Sequence, residues 1–337
     1  MNQIKVYAGY NIDQDIRMSS SSGALFSLLA EYVLSLQGIV YGVKMSEDCY
    51  FAEFKRVTNC EELICLRGSK YLQAKVGNTY NQVKKDLASG KFVLFSGTGC
   101  QINGLRKFLK DGYENLICVD VICHGVPSPA LWKKYVQYQE QNNGGKMKEI
   151  NFRCKDDGWM DYGIKEIFEC SFQYEKKEKY IKKDEDPYMQ MFLQDYCLRP
   201  SCYECSAKKV KMSDITIADF WGIDNIAPEL NDKRGTSLII IRTRKGEEIF
   251  KEVRKKLKLK EVTYEEGVQC NPSEYKSCTR PTQRDTFFED MKVCDFEGLQ
   301  KKYIVLKRHS LVAKVKRKAK CIVKRVLKAI IYKRKVH

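Results

Sequence analysis

The sequence predicts a mixed α/β fold of two intimately packed lobes. Short apolar runs alternate with stretches whose apolar residues recur at helical spacing. Loops of small residues separate a strand from the helix that follows it, and no internal repeat or low-complexity linker interrupts the chain before residue 300. Strand–loop–helix alternation of this kind places functional loops at strand ends.

Taken in order, residues 4–8 read as a strand, followed by a polar turn at 19–23. Leu25, Leu28, Leu29, Tyr32 and Val33 then mark a helix. The unit repeats with a strand at 91–95, a small-residue loop at 96–101 and a helix at 102–109. A strand at 116–122 runs into Cys123, His124, Gly125, Val126 and Pro127, and a helix is expected over 129–140. From 146 to 183 the pattern shifts to strands, with alternation at 150–153 and 166–174. A helix at 188–196, strands at 214–220 and 237–241, and a charged amphipathic helix at 246–257 complete the body. The expected organisation is an N-terminal α/β lobe over 1–145, a second lobe over 146–300 and a basic amphipathic tail over 301–337.

The net charge of +17 invites a nucleic-acid reading until it is located. Residues 301–337 hold fifteen Lys and Arg and no acid, leaving 45 basic against 43 acidic groups in the rest. A nearly neutral body argues against nucleic-acid binding by the body. In the tail, Val312, Val315, Ala319, Ile322, Val326 and Ile330 recur at helical spacing. Residues 312–330 would span about 28 Å as a helix, but eight Lys and Arg between 314 and 328 oppose insertion by about 20 kcal/mol. Lying on an anionic membrane surface, or docking an acidic partner through 308–337, fits the charge better. With no apolar stretch of membrane-spanning length and no apolar leader in residues 1–10, the expected location is cytoplasmic, peripheral on the inner membrane face where the tail binds.

Fifteen cysteines suit a reducing compartment only as buried small side chains, metal ligands or redox groups. Cys202 and Cys205 form a C-x-x-C pair, preceded by Pro200, that lets two thiolates reach one centre. Four ligands close either a zinc site or an iron–sulfur cluster, and Cys100 and Cys123, in loops at strand ends, are the best further candidates. A rival set, Cys197, Cys202 and Cys205, has the C-x4-C-x2-C spacing of a two-iron cluster. The remaining cysteines, Cys278 among them, read as packing. The Ser21, Ser22, Gly23 and Gly97, Thr98 loops suit a phosphate or a flavin edge, with Lys70 as a counter-charge. The bland alternative is that these loops only cap helices and turn the chain.

Six collinear segments resemble the coenzyme F420 hydrogenase/dehydrogenase beta-subunit family. They begin at Ser20, Arg67, Ser96, Ile122, Arg199 and Asp214, the last reading Asp-Ile-Thr-Ile-Ala-Asp-Phe-Trp-Gly. The resemblance implies an iron–sulfur flavoprotein oxidoreductase, with a 4Fe-4S cluster on Cys100, Cys123, Cys202 and Cys205, a flavin (FAD or FMN) and coenzyme F420 as substrate. It also implies a separate electron donor or acceptor such as a ferredoxin, since nothing here corresponds to the ferredoxin domain of many relatives. His124, the one histidine outside the tail, is the candidate catalytic residue, placed to bond a cluster sulfide or a flavin atom. The reading from another class is a zinc-stabilised scaffold without redox activity.

Overall fold

The computed structural model describes residues 4–110, 112–170 and 176–304. The expected tail helix therefore lies outside the described residues. Twelve strands are described: β1 (Lys5–Asn11), β2 (Ile39–Met45), β3 (Ala52–Val57), β4 (Ala74–Lys75), β5 (Val93–Thr98), β6 (Leu116–Val121), β7 (Gly145–Cys154), β8 (Gly163–Cys170), β9 (Lys176–Lys182), β10 (Ile215–Asp219), β11 (Ser237–Ile241) and β12 (Leu257–Val262). Nine form one mixed sheet in the order β12-β1-β11-β10-β6-β5-β2-β3-β4, and β7-β8-β9 form a second, antiparallel sheet. Strands from both sides of residue 145 build the large sheet.

The pairings give β10, β6, β5 and β2 one direction, and β1 shares it because β11 runs opposite to both β1 and β10. Residues that follow β1, β5, β6 and β10 therefore emerge at one edge. These strands are apolar on both faces, as strands covered on both sides must be. On one side Ile117, Val119, Leu94, Ile215 and Ile239 meet the helices Leu25–Ser35 and Arg244–Val253 through Leu28, Leu29, Val33, Ile249 and Phe250. On the other, Tyr41, Val93, Phe95 and Leu116 meet Val83, Leu87, Ile102 and Leu105 of the helices Thr79–Ala88 and Gly99–Leu109.

Two boundaries differ from expectation in ways that matter for the site. The loop expected at 96–101 is mostly regular structure: β5 continues to Thr98, and the helix Gly99–Leu109 starts at once, so Cys100 lies in its first turn. The helix expected over 246–257 ends at Val253, and Leu257–Val262 forms an edge strand on β1. Its alternating Leu257, Lys258, Leu259, Lys260 keeps lysines on an outer strand, where charge blocks further pairing. Among the described residues no helix is long and apolar enough to cross a membrane.

Candidate functional site

β5 and β6 pair in parallel, with Thr98 opposite Val121. Cys100 and Cys123 each lie two residues beyond those partners, so strand register brings them side by side at the sheet edge. Two stitches bring the C-x-x-C segment to the same place. Arg199 N–H donates to Val126 O at 3.0 Å, Ser128 N–H donates to Cys197 O at 2.8 Å, and Pro127 bridges Leu198. Beyond the pair, Asn103 Nδ2 donates to Val210 O at 2.8 Å, strapping the segment to the helix Gly99–Leu109.

The thiols are electrically coupled. Burial pushes the Cys123 thiol up to about 12; the Lys208 ammonium opposes this, while Cys100, Cys202 and Cys205 each add to it. Cys202 is raised as well, first by burial and then by Cys100 and Cys205, against a backbone hydrogen bond from Val126. A thiol held in this way stays protonated near neutrality unless a metal takes the proton's place. Lys208 Nζ donates to the carbonyls of Cys123 and Ser273, fixing a positive charge among the sulfurs. Cys205 N–H donates to Ser277 Oγ at 3.0 Å, so the 273–278 turn closes the far side.

Four thiol donors suit either an iron–sulfur cluster or a zinc ion. Zinc–sulfur bonds of about 2.3 Å in a tetrahedron set sulfurs about 3.8 Å apart. Among the described residues the one trio of metal-ligating side chains whose donor atoms lie within 4.8 Å of one another is His124, Asp195 and Cys278; no trio from the quartet is that close. Cys197 is fully buried, its thiol is raised first by burial, and its charged neighbours are Asp195 and Arg284.

His124 Nε2 lies 2.6 Å from Asp195 Oδ1, and its ring meets Phe192 edge-on with centroids 5.3 Å apart. Phe192 in turn lies 5.4 Å from the Tyr71 ring. Two aromatic rings thus connect the quartet to the 67–71 loop. That loop holds the serine turn after β1: Ser69 N–H donates to Ser21 Oγ at 2.7 Å, and the two hydroxyls lie 2.9 Å apart. The Ser22 hydroxyl donates to Thr236 O at 2.9 Å, and Gly23 N–H to Ser237 Oγ at 2.9 Å. Ser22 does not cap the following helix, whose N-cap is Ala24 in the left-handed region.

Lys70 Nζ donates to the carbonyls of Cys65, Leu66 and Arg67 at 3.1, 3.0 and 2.8 Å, and desolvation lowers its pKa to about 7. Its cation therefore serves carbonyls at the end of the turn Ile64–Leu66. Gly97 and Thr98 sit at the end of β5, where Gln101 Oε1 accepts from Thr98 N–H at 2.9 Å and from its hydroxyl at 3.1 Å. The Thr98 hydroxyl lies 3.2 Å from Cys100 Sγ, so this cap also touches a quartet thiol.

Sequence reasoning did not single out Asp195, Lys208, Cys278, or the wall made by Arg153 and Asp219. Arg153 donates through both terminal nitrogens to Asp219 at 2.7 and 3.1 Å and through Nη1 to the Tyr71 hydroxyl at 3.2 Å. Trp159 Nε1 donates to Asp219 Oδ1 at 2.8 Å and stacks on Trp221 at 5.1 Å. Asp219 and Trp221 lie inside a motif singled out in the sequence, whereas the partners of Asp195 and Cys278 are tens of residues away and leave no local trace.

Comparisons with known proteins agree with this architecture. In fold the chain is similar to a chain of the F420-reducing NiFe hydrogenase complex from Methanosarcina barkeri, with a TM-score of 0.50 and 16% identity over 76% of this chain and 81% of that one. No curated protein matches the chain. The family model for the C terminus of the coenzyme F420 hydrogenase/dehydrogenase beta subunit matches residues 90–266, which hold all four thiols of the quartet. The chain belongs to the coenzyme F420 hydrogenase/dehydrogenase beta-subunit family.

Proposed function

We propose that the chain is an electron-transfer oxidoreductase subunit. In this reading Cys100, Cys123, Cys202 and Cys205 hold a 4Fe-4S cluster, and Ser21, Ser22, Gly23, Lys70, Gly97 and Thr98 border a flavin, FAD or FMN. The observation that carries it is the meeting of four thiols at the edge where β5, β6 and β10 end, each within electrostatic reach of Cys123 or Cys202. The cluster supplies one-electron transfer and the flavin two-electron chemistry on an organic substrate, coenzyme F420 or a substrate of another pathway such as polysaccharide synthesis.

The chain's own groups then have definite tasks. Lys208 offsets the negative charge that four thiolates bring into a partly buried place. Val126 N–H faces Cys202, the kind of backbone donor that tunes a cluster's potential. Asp195 fixes the orientation of the His124 ring beside the ligand Cys123. A separate protein such as a ferredoxin, meeting the exposed Cys100, would deliver or remove the electrons.

Anaerobic reconstitution with iron and sulfide, followed by metal analysis, visible absorption and EPR, tests the reading. Four irons per chain are expected, falling sharply in Cys123→Ser and unchanged in Cys197→Ser. A colourless protein with zinc on four sulfurs and neither iron nor flavin would replace it with a zinc-stabilised scaffold.

A further inference from the structure

Beside the quartet, three donor groups of different chemistry converge: the His124 imidazole, the Asp195 carboxylate and the Cys278 thiol, with donor atoms within 4.8 Å of one another. We propose that they form a second, mononuclear site for a divalent transition metal of the zinc type.

Each donor is held by its own segment. His124 follows β6 and is pinned by the Phe192 ring. Asp195 follows the helix Pro187–Leu193 at a left-handed residue with φ 64°, and its carbonyl accepts from the Tyr203 hydroxyl. Cys278 ends the 273–278 turn, which Lys208 and Cys205 fasten through Ser273 and Ser277, and its thiol donates to His124 O at 2.7 Å. Three side chains fixed this way need only small movements to close on an ion. Bonds of about 2.0–2.3 Å in a tetrahedron require donor separations of about 3.3–3.8 Å.

The chemistry selects the ion. A neutral imidazole, a carboxylate and a thiolate carry two negative charges, which a divalent cation cancels in this half-buried place. Nitrogen and sulfur donors exclude calcium and magnesium, which take oxygen, and favour zinc over harder ions. Three protein ligands leave a fourth position for water or a small anion, the pattern of a reactive rather than a purely structural zinc site. Lys208 does not block entry, because its ammonium is directed at the carbonyls of Cys123 and Ser273. The proposal does not depend on the quartet holding iron.

The test is zinc-edge X-ray absorption on the full chain, reconstituted anaerobically with iron and sulfide and then given one equivalent of zinc. A shell of one sulfur with nitrogen and oxygen is expected, together with unchanged iron content. Cys278→Ser, close in size to the native residue, is expected to lose the zinc–sulfur contact and weaken zinc binding at least tenfold. In protein carrying its full four irons, a four-sulfur shell or no stoichiometric zinc would overturn the site; in iron-free protein, given a second equivalent of zinc after the quartet fills, failure of the one-sulfur shell to appear would do the same. If iron is absent while the one-sulfur shell persists, the cluster reading fails and this site stands.

Discussion

The Tyr135 hydroxyl carries one hydrogen and faces two acids, Glu166 Oε1 at 2.6 Å and Asp186 Oδ2 at 2.7 Å. All three side chains are buried, so one hydrogen cannot serve both contacts, and one carboxyl must keep its own proton. The surroundings agree. Burial pushes Glu166 up to about 7 against the pull of Lys179, whose ammonium lies 3.5 Å away and also binds Gln139, and burial raises Asp186 as well. Asp186 Oδ1 accepts from Met189 N–H, fixing the helix that carries Phe192. An acid whose folded pKa is raised binds protons more tightly in the native state, so its contribution is complete below the ordinary value of 4.5 and fades as pH climbs through about 7. Thermal unfolding followed between pH 4.5 and 7 is expected to show stability lost over that window, and Glu166→Gln to flatten the loss. Equal slopes in both proteins would show that the shared proton is not there. None of this was legible in the sequence, because Tyr135, Glu166 and Asp186 meet only through folding. His124 was singled out, but its meeting with Cys278, 154 residues away, escaped notice for the same reason. Cys100 and Cys123 were legible because the ends of apolar strands mark where side chains converge.

At the scale of elements, strands with continuous β-branched runs, such as Ser237–Ile241, could be read directly. The small sheet was legible as a strand-rich region over 146–183, but the edge strand Leu257–Val262 was not. Lys176–Lys182 is mostly charged, with Tyr180 and Ile181 its only large apolar residues, and its bounds are set by its register on β8. The serine turn after β1 shows how function and packing share residues. A Cβ on Gly23 would lie 2.5 Å from Gly9 O and 2.8 Å from Ser237 N, so this glycine exists for close passage between β1 and β11. Gly23→Ala is therefore expected to cost about 1–3 kcal/mol through forced backbone shifts. Denaturant titration measures it directly, and an unchanged midpoint would mean that the turn relaxes freely.

For the whole molecule, the family match and the folding unit do not coincide. The matched span, 90–266, contains β5, β6, β10, β11 and β12, but not β1 or β2. β1 lies between β11 and β12 and pairs with both, so without it β12 loses its partner and β11 loses one of two. β5 loses β2 on its other side, and the buried faces of Leu94 and Ile239 lose the helix Leu25–Ser35. Residues 273–278, which close the far side of the cysteine cluster, are also missing. Cohesion in this chain is therefore long-range: its first strand is the centre strand of a hairpin-like trio whose other members come more than 200 residues later. A fragment of residues 90–266 is expected to show no cooperative unfolding transition and to incorporate no stable iron, whereas residues 1–304 should do both. Calorimetry of the two fragments decides it, and a sharp transition in the shorter one would mean that the parallel strands alone are the folding unit and that β1 is an accessory.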